Sequence, residues 1–120
     1  MANAWHTDIV VHGKGGGKKL GFPTINLNPA PFIDKLKEGV YSCEVKYKDK
    51  KYLGALYFGP RYIIKTERYI LEIYILGFNK EIYGQEVRFK IGKFIREPIN
   101  EKDPKKLIKR IEEDIGLIKA

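Results

Sequence analysis

A chain of 120 residues can bury one hydrophobic core but is too short for a second catalytic domain. Its net charge of +8 is spread along the chain, without the basic tail or stripe that is typical of nucleic-acid binding. The single cysteine, Cys43, excludes an internal disulfide and a cysteine metal site.

The chain shows no sign of a membrane-spanning or exported segment. No stretch approaches the length of a transmembrane helix, and the N-terminus lacks the apolar run of a signal peptide. We therefore expect a single domain over residues 1–120 that is cytoplasmic and does not bind a membrane.

A glycine-dense basic loop stands near the N-terminus. Its glycines occupy position 13 and positions 15–17, and its lysines are Lys14, Lys18 and Lys19. Glycines allow backbone N–H groups to approach an anion closely. The spacing fits neither the P-loop nor the dinucleotide-binding fingerprint. Taken alone, the segment favours a mobile basic surface loop over a phosphate-binding loop.

A short extended segment follows this loop. Pro23 fixes its own backbone and biases the preceding residue toward extended geometry, so the side chains of Thr24 and Asn26 are expected to face the same way. Hydroxyl and amide oxygens are ligands that Mg²⁺ accepts together with substrate phosphates. The alternative is that both side chains satisfy local backbone groups in a turn.

Alternating hydrophobicity predicts a series of short strands. They cover residues 40–47, 52–58, 69–76 and 87–91, with polar turns at 48–50 and 79–81. This spacing indicates a closed or nearly closed β-barrel. Cys43 is in phase with the apolar face of the first of these strands, so we expect a buried, inert thiol.

A helix is predicted at the C-terminus. Asp103 is a capping residue and Pro104 suits the first helical position. One apolar stripe runs along the helix, and we interpret it as core packing rather than as a partner site. The stripe consists of Leu107, Ile108, Ile111, Ile115 and Ile118.

Glu72 interrupts the apolar strand 69–76. A charge in such a run is costly unless it has a partner or a chemical role, which makes Glu72 a candidate general base. The pattern is equally consistent with a glutamate that reaches solvent from an edge strand or pairs with a lysine.

Several segments together resemble the riboflavin kinase family. Residues 20–26 read Leu-Gly-Phe-Pro-Thr-Ile-Asn, close to the family's Leu-Gly-Phe-Pro-Thr-Ala-Asn. The resemblance continues in order along nearly the whole chain, through Gly39-Val40-Tyr41, Glu72 to Leu76, Ile82-Tyr83-Gly84 and Phe94-Ile95-Arg96-Glu97. It implies a mainly β fold, a six-stranded antiparallel closed β-barrel with a C-terminal α-helix.

The resemblance also implies an activity. Such an enzyme transfers the γ-phosphate of ATP to the 5′-hydroxyl of riboflavin to give FMN, with Mg²⁺ as the metal. The bacterial bifunctional relatives carry an adenylyltransferase domain before the kinase, whereas only six residues precede Thr7 here. We therefore expect that the product is FMN and that FAD is not made. The expected partners are small molecules and not nucleic acid, and the expected state is a monomer.

The resemblance also implies roles for individual residues, by matching their positions to the family's motifs. Glu72 matches the general base, and Thr24 and Asn26 match the Mg²⁺ ligands. The residues that match nucleotide-binding positions are Gly13, Lys18, Thr24, Ile75, Gly77 and Tyr83. The loop is about one residue shorter than in some relatives, which leaves the choice between Lys18 and Lys19 open. Arg96 matches an arginine of the flavin-side loop, where the alternative is a solvated charge.

Two departures from the family pattern keep other functions open. Residues 97–101 read Glu-Pro-Ile-Asn-Glu, without the family's aromatic residue, and Gly77 replaces a frequent acidic residue. A catalytically lapsed flavin or nucleotide binder is therefore one alternative. Another is a small basic β-barrel that binds single-stranded nucleic acid through lysines and stacking tyrosines, although the tyrosines fall in phase with core faces at least as often as with charged ones.

Overall fold

The structure, a computed structural model, describes residues 4–13, 20–60 and 69–120. Over these ranges the chain forms six strands, a short 3₁₀ helix at Ala30–Phe32 and one α-helix. The elements are β1 (Trp5–Ile9), β2 (Ile25–Leu27), β3 (Gly39–Tyr47), β4 (Lys50–Pro60), β5 (Tyr69–Ile75), β6 (Glu86–Arg96) and α1 (Pro104–Lys119). The predicted strands and helix are present, and β4 and β6 extend beyond their predicted bounds.

The sheet is a half-barrel and not the closed barrel that we predicted. Its strand order is β1-β6-β3-β4-β5-β2, and the neighbouring strands pair antiparallel. Within the described residues one isolated bridge connects the segment that follows β1 to β2, and in it the Val11 N–H donates to the Asn26 carbonyl at 2.8 Å. β2 has three residues, too few to form a ladder along the other edge.

Two glycines define the connection between β5 and β6. We predicted a turn at 79–81, but the turns lie at 76–77 and 83–84, on either side of it. Gly77 and Gly84 have φ angles of 71° and 77°, a left-handed conformation that side chains with a Cβ disfavour. The prediction was wrong because it relied on polarity rather than on glycine geometry, and the polar residues 79–81 form an irregular stretch between the two turns.

The inward-facing side chains of the sheet form the core. Phe32, from the 3₁₀ helix, covers the concave side and contacts the rings of Phe58 and Phe89. Cys43 is buried in this core as predicted, and burial raises the pKa of its thiol. The thiol therefore stays protonated and unreactive near neutral pH.

The C-terminal helix lies against the outer face of β4. The Asp103 side chain accepts a hydrogen bond from the Lys105 N–H at 3.1 Å, so the predicted cap is present. The apolar stripe is only partly core, since Ile118 is buried while Leu107 and Ile111 are half-buried over a cavity. Among the described residues, no helix has the length and apolarity that crossing a membrane requires.

His6 on β1 makes folding stability depend on pH. Its ring lies 5.0 Å from Phe32 and 5.2 Å from Phe89, centroid to centroid, and its buried Nε2 has no hydrogen-bond partner among the described residues. Burial lowers the pKa of His6 below its usual value of 6.5. The folded state thus favours neutral imidazole, while the unfolded chain takes up a proton below pH 6.5.

We therefore expect the contribution of His6 to the free energy of unfolding to be fully present above pH 6.5 and to be lost as the pH falls below 6.5. Urea denaturation at several pH values measures this slope. His6→Gln should reduce it, and the control His12→Gln should retain it. An equal slope in wild type and His6→Gln would contradict the assignment.

Candidate active site

Three polar side chains meet where β2 pairs with β5. Asn26 lies opposite Glu72 in the register, and the Thr24 hydroxyl donates to Oε2 of Glu72 at 3.1 Å. The neighbouring Ile25 and Ile73 point into the core, so strand alternation turns the polar groups to the other face. Thr24 and Asn26 therefore share a face, as the sequence predicted, and the glutamate joins them from the adjacent strand.

A first cavity, of about 180 Å³, opens beside this group. Thr24 and Asn26 line it together with the irregular segment 78–83. Three further residues that were matched to nucleotide binding line the same cavity, namely Gly13, Ile75 and Tyr83. The fold thus brings together residues from distant parts of the sequence, all of which the family resemblance matches to binding of the nucleotide and its metal ion.

Tyr83 adds an aromatic ring to the lining of this cavity. The Tyr83 ring stacks on the ring of His12, with 3.8 Å between centroids and 19° between planes. Tyr83 is 43% exposed, so its ring does not belong to the core. His12 had no role in the sequence analysis, and its place before the glycine loop is the only signal that points to it.

Gly13 lies directly against Asn26. A Cβ atom built at Gly13 would overlap the Asn26 side-chain amide. The glycine therefore has a steric function at this site, in addition to any role in phosphate approach. Lys18 and the rest of the basic loop lie outside the described residues. Gly77 forms the turn after β5 and does not line the first cavity.

Gly13→Ala should displace the Asn26 amide, because the added methyl group occupies its position. A displacement of about 1 Å at a positioned ligand can lower kcat/KM by about 10²-fold. Steady-state kinetics of the phosphotransfer that the sequence resemblance implies would measure the loss, and Gly116→Ala is the control because a Cβ there meets no atom within 4 Å. Equal activity of both variants would contradict a steric role for Gly13.

A second cavity, also of about 180 Å³, lies between the outer face of the sheet and α1. Its walls are largely apolar and aromatic, and the Phe22 and Tyr74 rings meet there edge to face at 5.4 Å. Leu107 and Ile111 of α1 cover it, and Ile99 adds a further apolar wall. This space suits a flat apolar group.

Thr24 lines both cavities. The residue that hydrogen-bonds to Glu72 therefore stands at the boundary between a cavity of mixed polar and apolar lining and a largely apolar one. Groups bound in the two cavities would meet beside a hydroxyl and a carboxylate. Such an arrangement suits transfer of a group from one ligand to another.

The side-chain oxygen atoms at this boundary are suitable ligands for a hard cation. The Asn26 amide makes no hydrogen bond to the described part of the chain and lines the first cavity, as does Thr24. In the same ranges, no group of three His, Cys, Asp or Glu side chains could hold a metal on its own. Two neutral oxygens next to a carboxylate suit Mg²⁺ when phosphate oxygens and water complete its coordination.

The riboflavin kinase family model matches residues 3–120. This chain belongs to the riboflavin kinase family. It is 34% identical over 108 residues to the bifunctional riboflavin kinase/FMN adenylyltransferase of Listeria monocytogenes, covering 88% of this chain and 34% of that protein. It is 33% identical over 110 residues to the RNA-binding riboflavin kinase RibR of Bacillus subtilis, covering 91% of this chain and 47% of that protein.

The fold agrees with a solved structure of the family. The crystal structure of riboflavin kinase from Trypanosoma brucei superposes with a TM-score of 0.67 at 23% identity, covering 96% of this chain and 76% of that one. At this identity the likeness concerns the fold. The two curated relatives are longer proteins, of which this chain spans between a third and a half.

The arginine of the riboflavin kinase pattern, Arg96, lines the second cavity and contacts the helix. Its Nε donates to Asp114 Oδ1 at 2.9 Å and its NH2 group to Oδ2 at 2.8 Å. The two side chains are 18% and 7% exposed. The solvated arginine of the alternative interpretation is therefore not observed, and Arg96 connects the end of β6 to α1.

Asp114 is a site residue that was not predicted from the sequence. Its signal was present, because Asp114 falls on the apolar stripe of α1, three residues after Ile111 and four before Ile118. A carboxylate at such a position needs a partner. The alternation of polar and apolar residues along the strands does not identify that partner, because Arg96 lies on β6 and Asp114 lies on α1.

Proposed function

We propose that this domain is an ATP:riboflavin 5′-phosphotransferase, which forms FMN and ADP. The single observation that carries the proposal is the Thr24–Glu72 hydrogen bond at the boundary of the two cavities. Family membership supplies the substrates. The mixed lining of the first cavity suits a nucleotide with its phosphates, and the largely apolar lining of the second suits the flavin ring.

We assign the first cavity to the nucleotide. Ile75 and Tyr83 offer an apolar wall and an aromatic face there, and Gly13 lets the Asn26 amide lie against the backbone at the edge of this cavity. We assign Lys18 to the loop that covers the phosphates, and Gly77 to the turn that directs the segment 78–83 toward the nucleotide.

We assign the second cavity to the ring of riboflavin. The volume of this cavity is smaller than that of sites that enclose drug-sized ligands, so the ring would extend toward residues 97–101. Ile99 provides an apolar contact in the segment that lacks the family's aromatic residue. Arg96 is assigned to this side of the site, where its contact with Asp114 holds α1 over the cavity.

Glu72 is the proposed general base. As the 5′-hydroxyl oxygen of riboflavin bonds to the γ-phosphorus of ATP, the bond from that phosphorus to the bridging oxygen breaks and ADP leaves. The hydroxyl proton passes to the Glu72 carboxylate. The hydrogen bond from Thr24 orients the Glu72 carboxylate for this step.

Thr24 and Asn26 are the residues that would hold Mg²⁺. When bound, the ion neutralises charge on the phosphates. The two protein ligands are neutral, which suits a metal that arrives together with a highly charged nucleotide.

The proposal is tested by incubating purified protein with riboflavin, ATP and Mg²⁺ and separating the flavins by chromatography. FMN formation that requires all three is the expected result. Thermal stabilisation by FMN without turnover would instead support the lapsed binder. The absence of an adenylyltransferase activity and the monomeric state stay predictions, and the same assay reports any FAD.

The predicted alternative of stacking tyrosines receives little support. Of the tyrosines available for stacking, Tyr41 and Tyr47 are buried in the core. Lys14, Lys18 and Lys19 of the basic loop lie outside the described residues.

A further inference from the structure

The only tryptophan of the chain, Trp5, is surrounded by cations. The ammonium groups of Lys46 and Lys90 lie 4.3 Å and 5.3 Å from the indole centroid, and the guanidinium carbon of Arg88 lies 5.8 Å from it. We call these four residues the Trp5 surface. Trp5 and Lys90 are half-buried, and Arg88 is exposed.

The register of the sheet builds this surface. Trp5 lies opposite Lys90 across β1 and β6, and Lys46 lies opposite Arg88 across β3 and β6. Val45 and Phe89, their neighbours in sequence, are buried, so alternation directs the cationic side chains outward. Three adjacent strands thus place one aromatic ring and three cations on the outer face of the sheet.

The charge of this surface is only partly neutralised. Glu44 lies 3.1 Å from the Lys90 ammonium and 3.4 Å from that of Lys51. Within the described ranges, neither Lys46 nor Arg88 has a carboxylate partner. Gathering like charges costs free energy that an anionic ligand would recover.

A basic cleft continues the surface. It has a volume of about 270 Å³, and Lys46 and Arg88 line it together with Lys48. One carboxylate, that of Glu86, also lines the cleft. Anion-binding groups thus extend from the indole along the sheet in one direction, as a chain of phosphates would require.

We propose that the Trp5 surface binds single-stranded nucleic acid. A base would take the place of the Lys46 ammonium group over the indole, and Lys46, Arg88 and the cleft would then contact the flanking phosphates. An aromatic ring among cations matches alternating bases and phosphates. The surface lies on β1, β3 and β6, and the Thr24–Glu72 pair lies at β2 and β5, so nucleic-acid binding does not depend on the proposed kinase activity.

Trp5 reports its own occupancy, because it is the sole tryptophan. The protein is titrated with single-stranded oligouridylate of about 12 nucleotides, at about 50 mM salt and then at higher salt. Base stacking should quench the tryptophan fluorescence in proportion to binding, measured in parallel by the anisotropy of a labelled oligonucleotide. The affinity should fall steeply with salt.

Charge-matched variants make the test specific. Lys46→Gln/Arg88→Gln should weaken binding by about tenfold or more and lower the slope of log K against log salt by about 1.4, because two phosphate contacts are lost. Lys105→Gln/Lys109→Gln, on the exposed face of α1, has the same net charge and should bind like the wild type. Circular dichroism verifies the folding of both variants, and FMN formation should be unchanged in them.

Three outcomes would overturn the proposal. One is binding without a change in tryptophan fluorescence. Another is an equal loss of affinity in the two double variants. The third is equally tight binding of heparin or of anionic lipid vesicles, which would assign the surface to polyanions without bases.

Discussion

Glu72→Gln is expected to lower kcat for FMN formation by about 10²- to 10⁴-fold, the usual contribution of a general base. Glutamine retains the shape of glutamate and can still accept the Thr24 hydrogen bond, but it cannot take the hydroxyl proton. The KM values for ATP and riboflavin should change little, because the lost interaction belongs to the transition state. Steady-state and single-turnover kinetics measure both effects.

Two further variants complete this test. Glu112→Gln, at an exposed position of α1, removes the same charge away from the site and should have wild-type kinetics. Thr24→Val removes the hydroxyl that orients the carboxylate and should lower kcat as well. Full activity in Glu72→Gln would eliminate this residue as the base, whatever the result for Thr24→Val.

Asp114→Ala is expected to have the largest effect on stability. It leaves the Arg96 guanidinium without its partner in a site where the two side chains are 18% and 7% exposed. Breaking a buried ion pair in this way typically costs about 3–5 kcal/mol of the free energy of unfolding. Urea denaturation measures the loss. The KM for riboflavin should also rise, since α1 covers the second cavity, while the KM for ATP stays near the wild-type value.

A matched control and a rescue distinguish this pair from an ordinary surface contact. Glu44→Gln breaks two ion pairs of a more exposed carboxylate and should cost less than about 1 kcal/mol. The double variant Arg96→Met/Asp114→Leu should recover much of the loss, because apolar residues need no charge partner. A loss below about 1 kcal/mol in Asp114→Ala would show that the pair does not hold α1 in place.

The sequence predicted those parts of the fold that depend on local patterns. Alternation located β3 to β6, and the Asp103-Pro104 pair located the start of α1. The common face of Thr24 and Asn26 followed from their spacing of two in an extended segment. In each case the structure depends on residues that are close together in the sequence.

Features that depend on long-range geometry were not predictable in this way. Sheet closure depends on whether the two edges can pair along their length, which the three residues of β2 do not allow. The same holds for Arg96 with Asp114 and for Trp5 with its three cations, which come from separate elements. The shared position of Thr24 between two cavities also required the structure.

Transfer of a labelled γ-phosphate is the most direct measurement of the central claim. Purified protein is mixed with riboflavin, Mg²⁺ and ATP that carries ³²P in the γ-position, and the flavin and phosphate products are separated. We expect the label in FMN at a rate that collapses in Glu72→Gln. Label that remains in ATP, or that appears only as inorganic phosphate while riboflavin is unchanged, would contradict a phosphotransferase at the Thr24–Glu72 site.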